Sequence, residues 1–159
     1  MPASRRPRHK RQQKTTGRQL LLTQPWKIKM VFAPLESILD QLERDGTVTV
    51  VHEGDQKGMP VFKIDGDREW YATGPALRGL TQAFYAHGVR TGKALPVNEI
   101  DRFADMLEAG KKVRAQDIQQ VRSAMAVLKK EAQYFTVDYA QDLIKTVQVS
   151  EQLEKLGIA

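Results

Sequence analysis

Cysteine is absent from the 159 residues. With it go disulfides, thiolate nucleophiles and every cysteine-based zinc site. Histidine is scarce, and His9, His52 and His87 lie too far apart in sequence for the short spacing of a histidine metal site. No stretch of about 18 consecutive apolar residues occurs, so no transmembrane helix is expected. A secretory signal needs an apolar core of about 7–15 residues behind its charges, whereas Leu20-Leu21-Leu22 runs straight into Thr23, Gln24 and Pro25. A transit peptide is Arg-rich and acid-poor, as this N-terminus is, but Pro7 and Pro25 interrupt the helix it would form. These absences point to a cytoplasmic protein with no cofactor and no membrane partner.

The most informative shortage is of negative charge at one end. The first 35 residues hold nine of the 25 basic side chains and none of the 19 acidic ones, and Glu36 is the first acid. The whole chain carries +6, so the remainder carries −3. Arg5, Arg6, Arg8, Lys10 and Arg11 fall within seven residues, followed by Lys14 and Arg18. Charge at that density repels itself and keeps a segment extended. A polyanion supplies what such an arm lacks, because neutralising phosphates releases condensed counterions without any reading of bases. Arginine adds a planar fork suited to phosphate oxygens. No groove-inserting element for reading sequence is identifiable.

Residues 1–29 are therefore expected to form a disordered basic arm, too poor in apolar periodicity to offset its ordering entropy. Across its end, Trp26 to Phe32 reads as a short strand or extended segment, with Trp26 docking the arm's root. Residues 30–159 are expected to fold as one α+β domain. Met30 also offers an alternative start, from which the product would lack the arm.

A first helix is expected over 34–44, with Pro34 in its first turn, Leu35, Ile38, Leu39 and Leu42 inward, and Gly46 as its stop. The period then changes. Thr47 to His52, Met59 to Ile64 and Arg68 to Ala72 read as three strands of an antiparallel meander over about 47–72, with Asp65-Gly66-Asp67 as a tight hairpin. The remainder, 75–157, is expected to be helical. Thr73 would cap a helix ending near Gly88, and Asn98 a second one ending at Gly110. From Lys111 to Leu156 there is no Gly or Pro. Ile118, Val121, Met125, Leu128, Ala132 and Phe135 alternate at steps of three and four, a seam of only about two and a half heptads. A break near 135–138 would make two antiparallel helices. The seam could close within that hairpin or between two copies, a homodimer through 115–156.

Several catalytic or metal patterns fail on inspection. Gly88 to Ala94 has three residues between its glycines and Ala94 in place of a metal-binding hydroxyl, so it is a poor phosphate loop. Arg90 and Lys93 are nevertheless kept as a second phosphate contact. Asp65-Gly66-Asp67 lacks the bidentate Glu of a calcium loop, because Ala76 stands at the twelfth position. Glu36, Asp40 and Glu43, like Asp101, Asp105 and Glu108, lie at helical spacing and read as solvated faces. No enzyme is expected. Arg68, Trp70 and Tyr71 form a candidate aromatic patch for a partner, with one aromatic facing inward and the other outward if the third strand is an edge.

At Arg6-Pro7-Arg8-His9-Lys10-Arg11 the chain resembles a loose group of small proteins from phages and prophages of Gram-negative bacteria. They open with an arm of this kind and continue as a mostly helical body. The segment Thr91-Gly92-Lys93 through Pro96 and Glu99, leading into a helix, is similar to the second half of that group, whereas the expected meander departs from its pattern. The resemblance implies a mobile-element origin and brings no catalytic residue. The leading expectation is an accessory protein that binds DNA or RNA non-specifically through its arm. The alternative is an inhibitor or adaptor of a host protein, acting through the folded body.

Overall fold

The computed structural model describes residues 16–64 and 68–157. The expected disorder of the arm up to residue 15 and the expected hairpin at 65–67 lie outside them. The order is two 3-10 turns (Thr16–Arg18 and Leu21–Thr23), α1 (Pro25–Asp45), β1 (Thr49–Val50), β2 (Pro60–Phe62), β3 (Tyr71–Ala72), α2 (Thr73–Thr91), α3 (Asn98–Glu108), α4 (Ala115–Ala132) and α5 (Val137–Lys155). The α+β class and the antiparallel meander, in the order β1-β2-β3, are as the sequence pattern indicates.

The first correction is at α1. Trp26 to Phe32 is helical, not extended, and Pro34 is interior rather than initial. Pro25 takes the first helical position, where its missing N–H costs nothing. An interior proline removes the bond to the carbonyl four residues back and costs about 3 kcal/mol. Here that carbonyl belongs to Met30, whose side chain is 65% exposed, so water can serve it. Against this cost stand Ile28 and Phe32, which continue the stripe of Leu35, Ile38, Leu39 and Leu42 upstream and are buried with it. Each buried side chain of this size contributes about 1.5–3 kcal/mol, which outweighs the lost bond. Gly46 ends the helix at φ 76°, as expected, with its N–H on the Leu42 carbonyl.

The second correction is to the arm's boundary. Leu21 N donates to the Phe135 carbonyl at 2.8 Å, Leu22 N to the Gln133 carbonyl at 3.0 Å, and Val137 N to the Gln19 carbonyl at 3.0 Å. Leu20 pairs with Thr136 as an antiparallel bridge, and Leu21 is buried in the main core. The folded body thus begins by residue 19, not 30. Trp26 does not dock the root; it is 58% exposed, beside Lys27. A product starting at Met30 would lose Leu21 and Ile28 from the core.

The strands are shorter than the β-branched runs suggest. Thr49 faces Val61 and Val50 faces Pro60, while Val61 faces Ala72 and Phe62 faces Tyr71. Pro60 opens its strand, where a missing donor is tolerated. β2 is buried throughout and packs on α1 and α2. Ser37 Oγ donates to the Lys63 carbonyl at 2.7 Å and Gln41 Nε2 to Thr49 Oγ1 at 2.8 Å, tying α1 to the sheet.

Two expected caps are displaced by one residue. Ala72, not Thr73, precedes α2; Thr73 is fully buried and its Oγ1 makes no hydrogen bond. Val97, not Asn98, precedes α3. α2 passes through Gly88 and stops at Gly92, at φ 70°. The expected break after Phe135 is present: Thr136 Oγ1 accepts from Tyr139 N at 3.0 Å and caps α5. Val121, Met125, Leu128, Ala132 and Phe135 of the seam are buried and Ile118 is half-buried. The seam closes on earlier helices: α4 packs on α1 and α3, and α5 on α2. The burial that motivated a dimer is thus met within one chain.

The root assignment separates two neighbouring substitutions. Leu21→Ala is expected to lower the unfolding free energy by about 2 kcal/mol, and Trp26→Ala by no more than about 0.5 kcal/mol, in urea denaturation followed by circular dichroism. Equal losses would contradict the assignment.

Candidate functional site

Both acidic stripes are largely solvated, and each is also engaged by a basic side chain from a neighbouring helix. On α1, Arg122 of α4 reaches Glu36 at 3.3 Å, Asp40 at 3.1 Å and, through Nε, Glu43 at 2.8 Å. Lys129, two turns on, reaches Glu36 at 2.6 Å and lies 5.7 Å from the Phe32 ring. On α3, Arg78 of α2 pairs with Asp105 at 2.6 Å and with Glu108, while Thr81 Oγ1 donates to Asp101 at 2.6 Å. Such pairs are half-exposed and contribute about 0–1 kcal/mol each. They join helices that also pack side by side. Among the described residues no group of His, Asp and Glu could hold a metal ion.

A third cluster lies where the C-terminal end of α2 meets α4 and α5. His87 is buried, with Nδ1 2.6 Å from the Tyr139 hydroxyl and Nε2 3.1 Å from Glu131 Oε1. Its ring meets Phe135 edge-on, with centroids 4.5 Å apart. Glu131 also takes Lys93 at 2.6 Å. Arg90 pairs with Asp142 at 2.8 Å, donates to Thr146 Oγ1 at 2.9 Å and sits 5.6 Å from the Tyr139 ring. The two cations assigned to a phosphate contact therefore already hold carboxylates, and a phosphate there must displace them.

Three carboxyl–cation contacts shift their members. Burial pushes the Glu36 carboxyl up, but the hydrogen bonds and charges of Lys129 and Arg122 outweigh it and hold the group below its ordinary 4.5. Hydrogen bonds from Lys93 and His87 hold the Glu131 carboxyl down, against the opposing effect of burial. The Glu43 hydrogen bond raises the Arg122 guanidinium.

Of the other expected contacts, Arg5, Arg6, Arg8, Lys10, Arg11 and Lys14 lie outside the described residues. Arg18 is exposed on the first 3-10 turn, where the arm meets the body. Arg68 is exposed. Trp70 is 53% exposed and stands 5.4 Å from Lys63 Nζ. Tyr71, on the edge strand, lays its ring 5.7 Å from Phe62. Trp70 lines a groove of about 760 Å³ between α1 and the sheet, shared with Lys29, Ser37, Asp40 and Lys63. Sequence reasoning missed Arg78, Arg122 and Lys129, for which the regular spacing of the acids they meet was the signal, and it named His87 without its partners Tyr139 and Glu131. No protein-family model, curated protein or solved structure matches the chain.

The lowered carboxyls set the direction of acid destabilisation. Below 4.5 the unfolded chain takes up protons that Glu36 and Glu131 in the folded chain still refuse. Stability should therefore be level above about pH 5 and fall as pH drops through the depressed folded-state values. Urea midpoints between about pH 3 and pH 7 should show this slope, and Lys129→Met should flatten it while costing about 1 kcal/mol or less at neutral pH. An unchanged slope in Lys129→Met would contradict the pairing.

Proposed function

We propose that the protein binds nucleic acid through its N-terminal arm, as an accessory protein of a phage or another mobile element. The observation that carries this reading is the acid-free stretch up to Leu35, with its nine cations. The body adds support by contrast. Arg78, Arg90, Lys93, Arg122 and Lys129 all spend their charge on carboxylates of the same chain. The six cations before residue 15 precede the first acid by more than twenty positions in sequence. They are the charge best placed for phosphate. The mobile-element part rests on the resemblance at Arg6 to Arg11. A second reading, an adaptor or inhibitor of a host protein, draws on the exposure of Trp70 beside Arg68.

Deleting residues 2–14 spares Leu21 and tests the arm alone. Binding of the full chain to random-sequence DNA should weaken with salt at a log–log slope of about −5 or steeper, from about −0.9 per neutralised phosphate. The deletion should make that slope shallower by about 5 and remove most of the affinity at low salt. Trp70→Ala should leave both unchanged. Unaltered binding after the deletion would refute the arm as the contact.

A further inference from the structure

α4 carries an exposed face of uncharged polar side chains. α1 exposes charge, among it Lys29, Asp40 and Glu43, whereas α5 mixes Asp138, Asp142 and Lys145 with Gln141, Gln148 and Gln152. On α4, Gln116, Gln119, Gln120 and Ser123 lie at helical spacing on one exposed face, continued by Ala126 and Val127. None of the four polar side chains makes a hydrogen bond within the described residues. Hollows of about 510 Å³ and 570 Å³ flank this face, and Gln119 and Ser123 line both, so α4 stands as a ridge. The ridge is held from behind. Val121, Met125 and Leu128 are buried, and Arg122 and Lys129 fasten the helix to α1.

Basic side chains predominate at the open end of the ridge. Lys111, Lys112 and Arg114 precede α4, and Arg102 of α3 lines one hollow; all four are exposed and none of their side chains pairs with a carboxylate among the described residues, while Asp117 of the first turn is half-buried and accepts the Arg114 backbone N–H at 2.9 Å. The carboxylates lining the two hollows are Glu99 and Glu43. Glu43 is already held by Arg122, and the Glu99 Oε2 is buried without a partner. At the other end Lys130 is exposed, and the arm's root is bonded to Gln133 and Phe135 just beyond the helix. The 15 residues before Thr16 can span about 50 Å when extended, nearly twice the roughly 27 Å length of α4.

We infer that this face of α4 is a base-reading surface that lies in the major groove of duplex DNA. The loop Lys111-Lys112 with Arg114 and Arg102 meets the flanking phosphates, and the arm follows the same duplex from the opposite end. The inference rests on the nucleic-acid reading above and goes beyond it, because the arm alone confers no sequence preference. A helix with its side chains is about 10–12 Å across, and the major groove is about 12 Å wide. A glutamine amide pairs its donor and acceptor with adenine N6 and N7, and a methyl meets the thymine methyl. These are the groups that Gln116, Gln119, Gln120 and Val127 offer. The order of helix, turn and exposed second helix is that of helix-turn-helix readers, here with a longer connection, residues 109–114. A-form RNA is excluded as the target because its major groove is too narrow for side chains to read.

The test is selection from a random duplex library with the full chain at about 150 mM salt, repeated with a variant combining Gln116→Ala, Gln119→Ala and Gln120→Ala. Alanine is the better helix former, so the variant should keep its helical circular dichroism. The full chain should enrich a motif containing adenine. The variant should lose roughly tenfold or more of its preference for that motif while keeping its affinity for random DNA and its salt slope. Deleting residues 2–14 should have the converse effect, weakening all sequences alike and preserving the preference. Arm-dependent binding with no enriched motif, or a motif that survives the triple variant, overturns the base-reading face and leaves the arm standing. No binding to any DNA overturns both.

Discussion

One apolar stripe organises the molecule. Phe32, Leu35, Ile38 and Leu39 of α1 are all fully buried, and α2, α4, β2 and the second 3-10 turn pack on the helix that carries them. Phe84 of α2 stacks between Phe32 and Phe135, with centroids 5.8 Å apart on either side, so α1 is linked through α2 to the corner between α4 and α5. Since the stripe is continuous only if α1 is helical through Pro34, the local cost of that proline is subordinate to the packing of the whole chain.

Around the stripe, charge joins neighbouring helices. Arg122 and Lys129 meet the acids of α1, Arg78 those of α3, and Arg90 the carboxylate of Asp142 on α5. The pairs α1 with α4, α2 with α3 and α2 with α5 are matched in sign as well as in shape. The arrangement neutralises the body from within and leaves a segregated cationic N-terminus, with a smaller basic loop ahead of α4. The charge inventory of the chain is therefore uneven.

The sequence showed the meander, the change of period at residue 47 and the break after Phe135, because β-branched runs and glycine-free periodicity are local signals. It misplaced the start of α1, because Pro34 marks a boundary when read locally and is tolerated only through burial of Ile28 and Phe32, a tertiary effect. Thr73 and Asn98 are good caps by type, yet backbone geometry put Ala72 and Val97 in those positions. The seam from Ile118 to Phe135 announced a buried face without announcing what buries it. The candidate contacts were half legible. The arm's charge is plain in the chain, whereas the partners of Arg90, Lys93 and Arg122 are more than thirty residues distant and follow only from the packing.

The knot at residues 19–22 has a mechanical meaning. Because the strand leading out of the arm is stitched to the main chain between α4 and α5, any pull on the arm is delivered to the elbow joining those two helices and not to the far end of α1. A long polymer held by the arm would load that joint directly, so tension and the posture of the last two helices are bound to the same few peptide groups.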